Sequence, residues 1–234
     1  MQRRTLLAAA SAAMLARAVP SRAATSPVVL ELFTSQGCSS CPPADALLGD
    51  LSHRPGVIAL AWHVDYWDRL GWRDPYSSHL ATERQRAYAT LLGAEVYTPA
   101  LVVDGAHMVV GSARPAVSAA IASAAPASVT VELRPAADGL VLAVGRTAGP
   151  VSALLVSFDP EHETPIGGGE NGGRRLREFN TVRRAVMLAS WDGAPRTLRT
   201  ETPTPDMGTV VLVQDATLRV LGAAILPPLG KQAA

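Results

Sequence analysis

Two cysteines stand three positions apart in Cys38-Ser39-Ser40-Cys41, and the 234 residues contain no others. Such a pair closes a small disulfide ring without large backbone movement. At a helix N-terminus, the first thiol feels the partial positive charge of free backbone N–H groups. That lowers its pKa, and the thiolate is the reactive form. Two other readings stand beside redox chemistry. One is a static staple, although so small a ring restricts the unfolded chain little. The other is a soft copper(I) site made by Cys38, Cys41 and a histidine, either His63 or His107. Two cysteines are too few for a disulfide-dense mini-protein or a four-thiolate zinc site.

Further candidates lie near this pair. Glu31 sits inside the apolar run Val28–Phe33, seven residues before Cys38. Neither face of that run is polar, so Glu31 is expected to be buried. Burial would raise its pKa towards neutrality, as general-base work needs. The segment Trp62-His63-Val64-Asp65-Tyr66-Trp67-Asp68 ends a second apolar run, and ligands of open α/β sheets bind beyond the carboxyl ends of strands. Alternation sets His63 and Asp65 on one side of an extended chain. There they could steady a thiolate or move a proton; the bland reading is His63 paired with Asp65. Trp62, Trp67 and Trp72 read as a packed wall, with part of it, Trp67 included, open to a bound peptide. Gly167 to Gly173, with five glycines, leads into Arg174, Arg175, Arg177, Arg183 and Arg184. It reads as a mobile or sharply turned loop and a solvated or anion-binding segment. Gly-Lys-Ser/Thr is missing, so it is no phosphate loop.

The elements that position these residues follow from periodicity. Strands are expected at Val28–Phe33 and Val57–Val64, with a helix at Pro42–Leu51 between them. A second helix starts from Ser77 or Ser78 and is ended by Gly93. Ala100–Val103 and Met108–Val110 flank Asp104-Gly105, a hairpin signal. An Ala-rich helix follows from about Pro115 and stops before Pro126. This pattern predicts a parallel pair with a right-handed crossover and an antiparallel edge. Beyond Pro126, Ser128–Leu133, Leu140–Val144, Val151–Phe158, Thr209–Val213 and Leu218–Leu226 read as antiparallel, sandwich-like β structure.

Residues Ser26 to Ala125 resemble the thioredoxin-like superfamily. The resemblance rests on the strand–Cys38-x-x-Cys41–helix unit, the order of elements, and Thr98-Pro99 directly before the Asp104-Gly105 hairpin. It implies that Pro99 is cis and faces the cysteine pair. It implies that Thr98 offers its backbone to an incoming polypeptide, and that Glu31 takes the proton of the second cysteine. Glu31-Leu32-Phe33-Thr34-Ser35, Cys38-Ser39-Ser40-Cys41-Pro42-Pro43-Ala44-Asp45 and His63-Val64-Asp65-Tyr66-Trp67-Asp68 are similar to a secreted thioredoxin-like family described only as a domain of unknown function. Ser39-Ser40 departs from the pairs of working oxidoreductases and leaves the potential open. Pro42 and Pro43 delay the helix to about Cys41, which leaves Cys38 in the loop before it. An insertion is expected around Asp68–Ser78.

Composition sets the outer bounds. Arg3-Arg4, the apolar run Leu6–Ala16 and Ser21-Arg22-Ala23 form a secretory signal, residues 1–23, of the general or twin-arginine kind. The signal takes four of the 21 basic residues, and the 17 left against 20 acidic ones turn a net charge of +1 into −3. That excludes sequence-independent nucleic-acid binding. No apolar run reaches the ~18 residues of a membrane span. Export to the periplasm or beyond puts the cysteines in an oxidising compartment. The expected organisation is α/β: a thioredoxin-like domain over 26–125, then a mainly antiparallel β domain over 127–230. Three functions compete. The first is an exported thiol–disulfide oxidoreductase acting on polypeptide thiols or disulfides without a cofactor. The second is a copper-binding protein using Cys38, Cys41 and His63. The third is a non-catalytic binding module. The first requires both sulfurs to reach water beside the ring of Pro99.

Overall fold

The computed structural model describes residues 27–201 and 204–228; the leader expected at 1–23 lies outside them. Strand β1 (Val28–Thr34) and strand β2 (Val57–His63) pair in parallel, from Val28 opposite Val57 to Thr34 opposite His63. Helix α1 (Pro42–Ser52) makes the crossover. Pro42 and Pro43 fit its first turn because amides there have no intrahelical partner, so Cys41 is the N-cap. Helix α2 (His79–Leu92) follows, with Ser78 Oγ accepting from the Ala81 amide and Gly93 closing it in the left-handed region. Strand β3 (Ala100–Val103) runs antiparallel to β1, and β4 (His107–Val110) antiparallel to β3. Asp104 and Gly105, at φ 47° and 66°, turn the chain between them. Gly105 is also required by closeness: a Cβ there would fall 2.1 Å from the Leu218 carbonyl oxygen. Helix α3 (Arg114–Ala122) completes the first half.

The second half is all strand: β5 (Val131–Ala136), β6 (Gly139–Val144), β7 (Val151–Pro165), β8 (Arg175–Trp191), β9 (Arg196–Thr200), β10 (Gly208–Gln214) and β11 (Val220–Leu226). Eight strands form one mixed sheet, in the order β11-β10-β7-β8-β2-β1-β3-β4, and β5-β6-β9 form a smaller one. The halves join where β8 meets β2 in parallel, at Thr181 opposite Ala61. A mixed α/β fold dominated by one large sheet is therefore the architecture.

Alternation sorts the core. Leu30, Leu32, Ala59, Ala61, Leu101 and Val103 pack under α1 and α3. Val29, Phe33, Leu60 and Trp62 face the other way, onto α2 and the strands of the second half. A third cluster, including Leu142, Leu155 and Val211, lies between the small sheet and the large one.

Strands β8 and β9 were not expected. Segment 174–184 read as loop, yet β8 runs for 17 residues. Its buried positions include Glu178 and Thr181 beside Leu176, so polar residues occupy inward sites and the period-2 apolar signal is blurred. Strand β7 extends past Phe158 to Pro165 for the same reason, being tied to β8 up to the pair Pro165–Arg175. At ~3.4 Å per residue this hairpin is about 50 Å long. One end sits in the second-half core, and its tip reaches the cysteine loop.

Candidate functional site around the cysteine pair

Cys38 and Cys41 are joined in a disulfide, with their Cα atoms 5.4 Å apart. Cys38 lies in the loop before α1, where its amide donates to Ser35 O at 3.1 Å and its carbonyl accepts from the Cys41 amide at 3.2 Å. Ser40 Oγ is 3.3 Å from Cys38 Sγ. Ser39 and Ser40 are exposed, but both cysteines are 0% exposed. The expectation of water-accessible sulfurs is thus corrected: the pair is covered.

The Thr98–Pro99 peptide is cis. Pro99 is buried and lies beside the first turn of α1. Gly111 sits between the two, where a Cβ would be 3.2 Å from that of Ala44 and 3.5 Å from that of Pro99. Trp67 Nε1 donates to Thr98 Oγ1 at 2.9 Å. The same tryptophan packs on Gly37, where a Cβ would be 3.1 Å from its own. Pro99, Thr98 and Trp67 thus gather around the cysteine loop.

Beneath α1 lies a buried polar cluster. Thr34 and His63 end paired strands on the α1 face. Asp45, one helical turn after Cys41 and so on the same helix face, is buried among them. Burial drives the Asp45 carboxyl up to about 7, against the opposing His63 charge and the Thr34 hydroxyl. His63 Nδ1 is 2.7 Å from Asp74 Oδ2. Burial disfavours the imidazolium, but the charge and hydrogen bond of Asp74, with Glu178 and Asp45 behind it, outweigh that and raise His63 to about 9. Asp74 also accepts from the Gln36 amide at 2.9 Å. Its carboxyl is held below the usual range, because His63 and the amides of Gln36 and Tyr76 outweigh the cost of burial. A carboxyl that titrates near neutrality one turn from Cys41 can take or return that thiol's proton.

Glu31 and Asp65 stand elsewhere. Glu31 is buried, but on the opposite face of the sheet from α1. Arg84 grips it with Nε at 2.5 Å and Nη2 at 2.9 Å, and Tyr88 donates to it at 2.5 Å. That acid is an ion-pair partner, and the acid on the cysteine side is Asp45. Asp65 accepts from Thr82 Oγ1 at 2.5 Å and so anchors α2. The partner of His63 is Asp74, from the insertion. His107 begins β4, at the far end of β3 and β4 from Pro99. Among the described residues, no group of three or more His, Cys, Asp or Glu is placed to hold a metal. No helix among them is long and apolar enough to cross a membrane.

The second half supplies residues that sequence reasoning missed. Glu178 accepts from Gln36 Nε2 at 2.7 Å and faces His63 Nε2 at 3.7 Å and His162 Nε2 at 3.1 Å. Asn171 and Glu170 bond to the cysteine loop directly. Asp45 had a visible signal, its i+4 spacing from Cys41. The others carried none, because their partners in the first half lie more than 100 positions away.

Comparison with known proteins adds family and fold. The family model "Protein of unknown function (DUF1223)" matches residues 29–214. No functionally curated protein matches the chain. A crystal structure of a protein from Agrobacterium tumefaciens is similar at 31% identity and TM-score 0.77, covering 88% of this chain and 96% of that one. HBP35 of Porphyromonas gingivalis is similar at 16% identity and TM-score 0.57, over 86% and 75%; at that identity the likeness concerns the fold alone.

Proposed function

The chain belongs to the DUF1223 family, and from its site we propose that it is an exported thiol–disulfide oxidoreductase with a thioredoxin-like first half. The observation that carries this is Asp45, titrating near neutrality one turn below a Cys41 that caps α1 and is bonded to Cys38. The cis Thr98–Pro99 peptide and the sheet order β2-β1-β3-β4 support the thioredoxin-like part. The leader sequence supports export.

In the reduced protein, Cys38 thiolate attacks one sulfur of a substrate disulfide. A mixed disulfide forms and one substrate thiolate leaves. Asp45 then takes the Cys41 proton. Cys41 attacks Cys38 Sγ, the ring disulfide closes, and the second substrate thiolate leaves. Two electrons pass from the cysteine pair to the substrate, and the reverse steps oxidise a dithiol. Thr98 would offer its backbone to the substrate chain as an added strand does, and His63 with Asp74 would hold the charge of Asp45 in place. A non-catalytic module with a structural disulfide is the second reading, favoured by the full burial of both sulfurs.

Alkylation of reduced Cys38 against pH, with the reduction potential of the pair, separates the two. The oxidoreductase reading expects a thiol pKa clearly below the ordinary ~8.5. A value at ~8.5 together with a potential below about −300 mV, typical of structural disulfides, would leave the staple.

A further inference from the structure

The proposed chemistry needs a route to two sulfurs that are fully buried. What lies over the cysteine loop from outside the first half is the tip of the β7–β8 hairpin, residues 167–173. Five of its seven residues are glycine, yet it is closely seated. Asn171 is itself 0% exposed, and its Nδ2 donates to Gln36 O and Cys38 O at 2.9 Å each. Glu170 accepts from the Ser39 amide at 2.9 Å. The tip lies flat on the 68–78 insertion, so close that a Cβ at Gly168 would come 2.4 Å from the Gly71 carbonyl oxygen. Glycine here serves close approach, where the sequence suggested mobility.

We propose that residues 167–173 form a strap, latched by Asn171, that closes the cysteine pair to solvent and partners, and that the disulfide reacts only when the strap lifts. The strap's hydrogen bonds to the cysteine loop are few and go chiefly to its backbone. Asn171 satisfies the buried Gln36 carbonyl and gives the Cys38 carbonyl a second donor beside the Cys41 amide. Once the strap lifts, water satisfies those carbonyls instead. Gly167 at one end of the strap and the Gly172-Gly173 pair at the other supply the backbone freedom for such a movement. The second half then acts as a gate on the first. The purpose of the gate rests on the oxidoreductase reading, but its existence does not.

The test reads access alone. The oxidised full-length chain is exposed to excess water-soluble phosphine, which becomes the phosphine oxide as the disulfide gains two electrons. Freed thiols are trapped in denaturant with an alkylating agent and counted by mass. Asn171→Ala is expected to speed reduction about 10- to 100-fold, or about 1.4 kcal/mol per tenfold. Gly168→Ala displaces the strap by an independent route and should also accelerate it. Wild-type rates for both variants, with unchanged circular dichroism, would overturn the proposal. So would a Trp67→Ala variant that reacts fast while Asn171→Ala does not, because Trp67 would then be the cover. An acceleration that disappears when the wild type is brought to equal global stability with urea would mean unfolding rather than strap movement. An ordinary Cys38 pKa would sink the oxidoreductase reading and leave these rates as they are.

Discussion

Replacing Asp45 with asparagine gives the sharpest test of the buried cluster. The carboxyl moves from 3.8 to about 7 on folding, driven by burial and opposed chiefly by His63. A raised carboxyl pKa means that the folded state holds the proton more tightly than the unfolded one. The group therefore costs nothing well below pH 3.8, and its cost grows as pH rises to about 7 and is then constant. Three pH units at about 1.4 kcal/mol each put the ceiling near 4 kcal/mol. By the same linkage less than half of it is already present at pH 5, which leaves about 2–3 kcal/mol to develop by pH 8. Asp45→Asn removes the titration and nearly keeps the shape. The facing charges, His63, Asp74 and Glu178, remain. Urea denaturation of oxidised wild type and variant at pH 5 and pH 8 reads the difference. The variant should gain about 2–3 kcal/mol relative to wild type between the two conditions. An equal effect at both pH values would refute the idea that Asp45 is a strained, near-neutral acid, and its place in the mechanism with it.

Two further changes probe the surroundings. His63 has a raised pKa of about 9, so its stabilising charge is full below about 6.5 and lost as pH climbs through 9. In His63→Gln, chemical denaturation should show lower stability at pH 7 and no further His63-linked fall towards pH 9. Arg84→Met leaves Glu31 buried without its partner, which should cost about 3–5 kcal/mol and appear as a large drop in Tm at neutral pH. A small drop would mean that Tyr88, which donates to Glu31, satisfies the carboxylate without Arg84.

Much of the first half was legible because its signals are local. The apolar alternation of β1 and β2, the serine and glycine that bound α2, the prolines that start α1, and the Asp104-Gly105 turn each act within a few residues. Such features survive any tertiary arrangement. The cysteine pair and Thr98-Pro99 could likewise be named from neighbours in the chain.

The acid beneath the cysteines was harder to assign, since Glu31 and Asp45 are both acids near the motif. Choosing between them requires knowing which face of the sheet α1 covers. Strand β8 was missed because Glu178 and Thr181 are buried where β8 meets the first half, Glu178 accepting from Gln36 and Thr181 lying opposite Ala61 of β2. The 167–173 tip read as mobile because glycine has the same freedom in isolation, whether it is to swing or to lie flat against a neighbour.

The chain's own text specified a cysteine pair at a helix head, a proline to stand near it, and the strands and helices that carry both. Folding alone determined that Asp45 rather than Glu31 sits under Cys41, that Asp74 rather than Asp65 holds His63, and that Asn171 reaches across to Cys38. Each of those outcomes depends on how separate elements pack, α1 on one face of the sheet, the 68–78 insertion against β2 and the hairpin tip on the cysteine loop, and the energy of a buried charge or hydrogen bond exists only once both partners have been brought out of water together.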